Sequence, residues 1–347
     1  MTASPATLAD SPLSDAKSPL VELRHLVKEF PVTAGAVLQR RIGSVKAVSD
    51  VSFSIGKGET FGLVGESGCG KTTVGRLMVG LEKPTSGELI FEGRDIAKLK
   101  GSERRRQRRD LQLMFQDPYA SLDPRMRVGT IIKEPLQVQN IGTKEERTAR
   151  VRQLLSEVGL SPKAMDFYPH EFSGGQRQRI GLARALSLNP KLIVADEPVS
   201  ALDVSIRSQI LNLMNSLQAT HGLTYLVISH DLSVVKYLSD RIGVMYLGKL
   251  VELGPSHTIY EQPAHPYTLG LIQAIPEPDP KRERSKQIEP IKGELPSALN
   301  PPSGCRFRTR CPRAQAICAE QEPALRPFGS QHWAACHFPL QTPSAAA

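Results

Sequence analysis

The sequence predicts an α/β protein: a parallel β-sheet flanked by helices, an antiparallel β layer, a helical subdomain and a small cysteine-bearing C-terminal extension. Three observations carry that prediction. Apolar runs of strand length, such as Leu192-Ile-Val-Ala195 and Leu223–Ser229, alternate with longer stretches of helical periodicity. Polar residues stand at the ends of those runs, where a parallel sheet gathers its ligand sites. A glycine-rich turn, Gly65-Glu-Ser-Gly-Cys-Gly-Lys-Thr72, joins the apolar strand Thr60–Val64 to a helix that begins near Gly70.

Size and composition agree with this. The 347 residues suffice for one large α/β domain plus an appendage, or for two smaller domains. An apolar content of 40% and a charged content of 23% describe an ordinary soluble globular protein. No apolar run approaches the roughly 20 residues of a membrane span. The N-terminal stretch Met1–Asp10 lacks a basic region followed by an apolar one, so the chain is expected to stay in the cytosol. A net charge of +9 suits an anionic partner, and Arg104-Arg-Arg-Gln-Arg-Arg109 is the strongest basic run. No aromatic residue is interleaved there for base stacking, so the run reads as a solvated helix face or a docking surface near lipid headgroups, not as a nucleic-acid site.

In chain order, residues 1–20 form a Ser-, Pro- and Ala-rich leader with no periodicity, expected to be disordered. Val21–Lys28 and Val48–Ile55 alternate and form the antiparallel layer, with Val32–Ser44 as an inserted loop. Phe30 ends the first strand and is a candidate to stack on a nucleotide base. Gly87–Gly93 and Asp110–Gln116 are further strands. From about residue 118 to 175 the pattern turns helical, clearest in Lys144–Gly159, where Val151, Leu154, Leu155 and Val158 share a face. Ser173-Gly-Gly-Gln176 opens a helix. Lys191–Glu197 and Leu223–Ser229 are buried-type strands, and Arg241–Gly248 with Lys249–Gly254 form a hairpin.

The chemistry concentrates at the turn and the strand ends. Gly65, Glu66, Ser67, Gly68, Cys69, Gly70, Lys71, Thr72 and Thr73 fit the phosphate-loop pattern. Its glycines let the backbone approach a ligand, its N–H groups form an anion nest and the helix N-terminus adds a positive dipole end. Lys71 supplies a point charge for phosphates and the Thr72 hydroxyl is a ligand for Mg²⁺. Asp196 can hold Mg²⁺, with Gln116 as a further ligand, while Glu197 is placed to polarise water. His230 can contact the γ-phosphate and orient that water. Ser173-Gly174-Gly175 is a second anion nest. One γ-phosphate does not need two nests from one subunit, so the second is expected to reach a nucleotide held by a partner.

With these residues in place, the chain resembles an ABC-transporter ATPase subunit over residues 21 to 255. The match comprises the phosphate loop, the Q-loop Gln116, the signature Phe172-Ser-Gly-Gly-Gln176, the strand Leu192–Asp196 with Glu197, the D-loop Ser200-Ala-Leu-Asp203 and the switch His230. Phe172 departs from the Leu usual at the signature's start. The resemblance implies a RecA-like core and a head-to-tail ATPase dimer enclosing two ATPs. Lys71, Thr72, Gln116, Asp196, Glu197 and His230 would act on one ATP, while Ser173, Gly174, Gly175, Gln176 and Asp203 would close on the other. It also implies two membrane permease subunits, an extracytoplasmic solute-binding protein and a peripheral location on the cytoplasmic face of the cell membrane.

A narrower resemblance is to the ATPases of oligopeptide and dipeptide importers. It rests on Phe115-Gln-Asp-Pro-Tyr-Ala-Ser-Leu-Asp-Pro-Arg125, His265-Pro-Tyr-Thr268 and Gly293-Glu-Leu-Pro296. Such importers carry two non-identical ATPases, and relatives that import nickel or glutathione share much of the pattern. ABC ATPases that handle DNA or ribosomes carry long insertions or two cassettes, and this chain has neither. The ATPase domain is expected over residues 21–262 and the extension over 263–347. Cys305, Cys311, Cys318 and Cys336 in that extension lack the paired short spacing of most zinc sites. They remain open between a [4Fe–4S] cluster, zinc and free thiols. The resemblance favours the cluster, with Arg306, Arg308, Arg310 and Arg313 offsetting its charge.

Overall fold

The computed structural model describes residues 19–34, 40–117, 121–276, 291 and 293–340. Residues 1–18 of the expected leader lie outside the described residues, and its last two, Pro19 and Leu20, open the first strand. An antiparallel layer is built from β1 (Pro19–Ala34), β2 (Arg40–Gly56), β4 (Ser86–Phe91) and β5 (Arg94–Asp95), in the order β2-β1-β4-β5. The expected loop Val32–Ser44 is instead the outer part of a hairpin, with Pro31 opposite Ser44 and Val32 opposite Gly43. The two arms there are held by main-chain pairing more than by burial, and Ile42 is 60% exposed, so no clean alternation marked them in the sequence.

Among the described residues the core sheet has eight strands. Its parallel part consists of β3 (Thr60–Val64), β6 (Leu111–Met114), β7 (Leu192–Asp196), β8 (Thr224–Ser229) and β9 (Arg241–Tyr246), in the order β9-β3-β8-β7-β6. Every residue of β3, β7, β8 and β9 is buried, which is why they read as continuous apolar runs. The strand expected to end at Gln116 stops at Met114, leaving Phe115 and Gln116 exposed beyond the sheet. β10 (Lys249–Pro255) pairs antiparallel with β9 through the expected turn at Leu247 and Gly248, both with positive φ.

Helices supply the two faces and the subdomain. α1 (Lys71–Met78) follows the phosphate loop and packs on β7 and β8. α2 (Gly101–Asp110) carries the basic run and buries no residue. It is tied down all the same. Arg105 donates to the Val138 carbonyl and Arg109 Nε to Gln139 Oε1 at 3.1 Å, so two of its cations join the core to the subdomain. That subdomain contains α3 (Val128–Val138) and α4 (Lys144–Glu157). α4 opens with a Thr143–Glu146 capping box and buries Val151, Leu154 and Leu155, as its periodicity predicts. α5 (Gly174–Leu186) leads back to the sheet, and α6 (Val204–His221) and α7 (Leu232–Leu238) complete the core. Among the described residues no helix is long and apolar enough to cross a membrane.

The C-terminal region is fused to this core. α8 (Ser256–Glu261) and α9 (Pro266–Gln273) follow β10, then α10 (Ile317–Glu320), β11 (Arg326–Gly329) and β12 (His332–Ala334). β12 pairs with β10 and β11 with β12, so the last strands extend the same sheet. A buried carboxylate fastens the joint. Glu252, fully buried, accepts from the Ala264 and His265 amides at 2.7 and 2.9 Å and meets His332 Nε2 at 2.7 Å. His265 caps α9 by accepting from the Tyr267 amide at 3.1 Å.

Burial pushes the His265 imidazole down to about 4 from an ordinary 6.5, against the opposing pull of Glu252. Unfolding lets the ring take a proton below about 6.5 that the folded protein refuses until about 4. Its contribution to stability is therefore complete above pH 6.5 and is lost as pH falls towards 4, by up to about 3 kcal/mol. Melting temperature followed from pH 7 to 4.5 should fall more steeply for wild type than for His265→Asn, whose side chain still caps but does not titrate. Equal slopes would remove His265 from the acid response.

Candidate functional site

The site is built at the carboxyl ends of β3, β7 and β8, which lie side by side. β3 delivers the phosphate loop. Gly65, Gly68 and Gly70 have φ of 149°, 79° and 107°, which side chains rarely adopt. At two of them space is also exhausted: a Cβ on Gly65 would lie 2.2 Å from the Met245 carbonyl, and one on Gly70 2.1 Å from the Ala47 carbonyl. The loop is thus pressed between β9 and β2. Lys71 is only 5% exposed, and its ammonium donates to the Gly65 and Glu66 carbonyls at 2.7 and 2.9 Å. Cys69 is buried, with Sγ 3.7 Å from Lys71 Nζ, and burial pushes its thiol up.

β7 delivers Asp196 and Glu197. Thr72 Oγ1 donates to Asp196 Oδ1 at 3.2 Å, joining the first turn of α1 to the strand end. Burial raises the Asp196 carboxyl, with the Thr72 hydrogen bond opposing and Glu197 adding to the rise. A buried carboxylate beside a hydroxyl fits Mg²⁺, which needs only one or two protein oxygens and takes its other ligands from phosphates and water. Glu197 sits at φ 49°, a left-handed conformation that a glutamate adopts at a cost of about 1–3 kcal/mol. Its amide donates to the Ile228 carbonyl of β8 at 2.8 Å.

Glu197 has both carboxylate oxygens engaged. Gln116 Nε2 donates to Oε2 at 2.9 Å and His230 Nδ1 meets Oε1 at 2.8 Å. The three strand-end groups expected to converge do so on one carboxylate. In this arrangement the Gln116 amide nitrogen serves Glu197. His230 is itself steadied from the next residue, where Asp231 caps α7 and pairs with Arg207 of α6 at 2.7 Å.

Among the described residues the signature makes no hydrogen bond to these groups. Ser173 and Gln176 form a reciprocal capping box, with Gln176 N donating to Ser173 Oγ at 3.3 Å and Ser173 N donating to Gln176 Oε1 at 3.0 Å. The amides of Gly174 and Gly175 are in the helix's first turn, where no intrahelical acceptor exists. Asp203 stands at the N-cap of α6 without a side-chain cap bond and is exposed, and Val204 next to it is 76% exposed. No hydrogen bond joins Ser173–Gln176 to the phosphate loop among the described residues. Phe30 is half-buried with the Lys28 ammonium 4.7 Å from its ring centroid.

In the tail, Cys305, Cys311, Cys318 and Cys336 are free thiols. Burial pushes Cys305, Cys311 and Cys336 up, the last to about 11, and the neighbouring thiols add to each rise. Among the described residues no group of three or more His, Cys, Asp or Glu side chains is placed to hold a metal ion. The expectation of a [4Fe–4S] cluster therefore finds no support in the structure. Of the nearby arginines, Arg306 donates to the Leu247 carbonyl and Arg308 to the Ser303 carbonyl at 2.9 Å, whereas Arg310 is ion-paired with Glu66 of the phosphate loop. That last contact, and the Tyr267 hydroxyl at the Glu66 amide, were not foreseen at the phosphate site. Only the position of Tyr267 in the His265–Thr268 motif hinted at it.

Comparison with known proteins accounts for this geometry. The ABC transporter family matches residues 48–200, and a family described as "Oligopeptide/dipeptide transporter, C-terminal region" matches residues 251–318. The oligopeptide transport ATP-binding protein AppF of Bacillus subtilis is 54% identical over 92% of this chain and 97% of its own length. The chain belongs to the ABC transporter family. OppF of Haemophilus influenzae, also named an oligopeptide transport ATP-binding protein, is 48% identical to this ABC ATPase over 93% of the chain and 98% of its own length. Among solved structures, the ATP-binding cassette MJ0796 in a dimeric post-hydrolysis state with ADP and Pi is similar, with a TM-score of 0.60 and 29% identity over 68% of this chain and 98% of that one. CbiO1 of Clostridium perfringens shares the fold of the ABC ATPase at a TM-score of 0.61 over 71% of this chain and 92% of that one.

The loop's crowding gives a graded test. Gly70→Ala should abolish MgATP binding and lower the melting temperature, because its Cβ meets main chain. Gly68→Ala, whose Cβ meets nothing within 4 Å, should cost only the roughly 1–2 kcal/mol of a left-handed alanine. Nucleotide titration and thermal melts of both variants check this, and equal losses would refute the steric account.

Proposed function

We propose that this ABC ATPase powers the import of peptides, and that Glu197 is the general base of its ATP hydrolysis. The observation that carries the catalytic part is the carboxylate of Glu197 held at both oxygens by Gln116 and His230, beside the Thr72–Asp196 pair. The phosphate-loop amides and Lys71 bind the nucleotide phosphates. Thr72 and Asp196 would hold Mg²⁺, which would neutralise charge on those phosphates. Glu197 takes the proton as a water oxygen attacks the γ-phosphorus and the bond to ADP breaks. Gln116 and His230 fix the direction in which Glu197 accepts that proton.

The peptide reading is supported by the match of residues 251–318 to the transporter C-terminal region and by relatives named for oligopeptide transport. ABC ATPases work as pairs with membrane permease subunits. Exposure of Ser173, Gln176 and Asp203 supports a head-to-tail pair in which each signature closes on the partner's nucleotide. A non-identical partner ATPase, an extracytoplasmic solute-binding protein and a site of action on the cytoplasmic face complete the reading.

Glu197→Gln should bind MgATP normally, lose turnover by about 10²–10³-fold and accumulate as a nucleotide-bound dimer. Normal hydrolysis by that variant would show that the base lies elsewhere. Separately, the complex purified intact from membranes should carry peptide. A bound metal chelate or glutathione would redirect the substrate reading and leave the catalytic one untouched.

A further inference from the structure

Glu66, the second residue of the phosphate loop, has all its polar groups gripped. Its carbonyl accepts from Lys71 Nζ at 2.9 Å. Its amide donates to the Tyr267 hydroxyl at 2.8 Å. Its carboxylate receives both terminal nitrogens of Arg310, Nη1 to Oε2 at 2.6 Å and Nη2 to Oε1 at 3.0 Å. Two of these three partners come from outside the cassette core. Tyr267 is on α9, and Arg310 lies 244 residues further along the chain than Glu66.

The two partners are themselves fixed. The Arg310 side chain is only 7% exposed, and its guanidinium lies 5.9 Å from the Tyr246 ring centroid. Tyr246, Tyr267 and Phe307 pack as a ring cluster with centroids 4.8–5.3 Å apart, welding β9, α9 and the tail. A second route reaches the other side of the loop. Arg306 donates to the Leu247 carbonyl, and the next amide, Gly248, donates to the Cys69 carbonyl at 2.8 Å. The tail thus grips the loop at Glu66 and, through the β9–β10 turn, at Cys69.

We infer that the C-terminal region preorganises the phosphate loop for ATP, with Arg310 and Tyr267 as positioning residues. A bidentate, charge-assisted pair with a nearly buried arginine restricts both the direction and the rotation of the Glu66 peptide. The amides that follow, from Ser67 to Thr73, take their aim from that peptide. Three glycines in the loop leave it many other conformations, and selecting one at the moment of binding would lower affinity. Removing the grip is therefore felt in nucleotide affinity even though neither residue belongs to the loop.

The inference rests on Gly65–Thr73 being the nucleotide loop, and the two ideas fail differently. Lys71→Ala with unchanged MgATP affinity would unseat the loop itself. The tail's role is tested in the full-length chain with Arg310→Ala, Arg310→Lys, Tyr267→Phe and the exchange Glu66→Arg/Arg310→Glu, by MgATP titration, steady-state hydrolysis and melting temperature. Arg310→Ala should weaken MgATP about tenfold, equal to about 1.4 kcal/mol, through KM more than kcat. Arg310→Lys should recover part of that loss, as should the exchange, and Tyr267→Phe should weaken binding without changing the ring packing. Affinity within twofold of wild type in Arg310→Ala overturns the inference. So does a loss that the exchange fails to relieve at equal melting temperature. If Arg310→Ala does not fold, unchanged affinity in both Tyr267→Phe and Arg310→Lys overturns it.

Discussion

The site depends on main chain packed against main chain. The phosphate loop can lie where it does because Gly65 and Gly70 bring bare backbone against the carbonyls of Met245 and Ala47, with no room for a Cβ. That contact fixes the loop relative to both sheets, since Ala47 belongs to the antiparallel layer and Met245 to the parallel core. Once the loop is fixed, Thr72 falls beside Asp196, and the neighbouring end of β8 brings His230 to Glu197. Steric exclusion, more than any attractive pair, sets the frame in which the charges meet.

Within that frame the polar groups form a connected set. Lys71 ties the loop to itself, and Thr72 ties it to Asp196. Glu197 takes a left-handed backbone while its carboxylate bridges Gln116 and His230. At Glu197 a positive φ and the doubly held carboxylate occur together, while the other non-glycine residues with positive φ, such as Leu247 in its turn, lie outside this set.

Much of this was legible in the sequence, for a definite reason. A parallel sheet announces its strands as apolar runs and puts their ends together, so polar residues after Met114, Asp196 and Ser229 could be brought to one place without knowing the coordinates. The capping pattern at Ser173 marks a helix start by local chemistry alone. Pairings that local pattern does not encode were missed. Nothing in the spacing of Glu66 and Arg310, 244 residues apart, indicates that they touch, and Arg310 looked like one cation among several near cysteines. The outer hairpin of β1 and β2 was read as a loop because its pairing is held by hydrogen bonds on arms that bury little. The Glu252–His265–His332 joint escaped notice because lone histidines carry no periodic signal.

The pairing of β12 onto β10 has one more consequence. Without the tail, β10 would be a nearly fully buried-type strand at the rim of the six remaining strands, a template for unwanted strand addition from another chain. The tail replaces it with β11, four residues long and carrying Arg326 and Pro327. A short edge with a proline and an exposed cation is a poor acceptor for a further strand. The extension therefore also guards the protein against self-association by sheet growth.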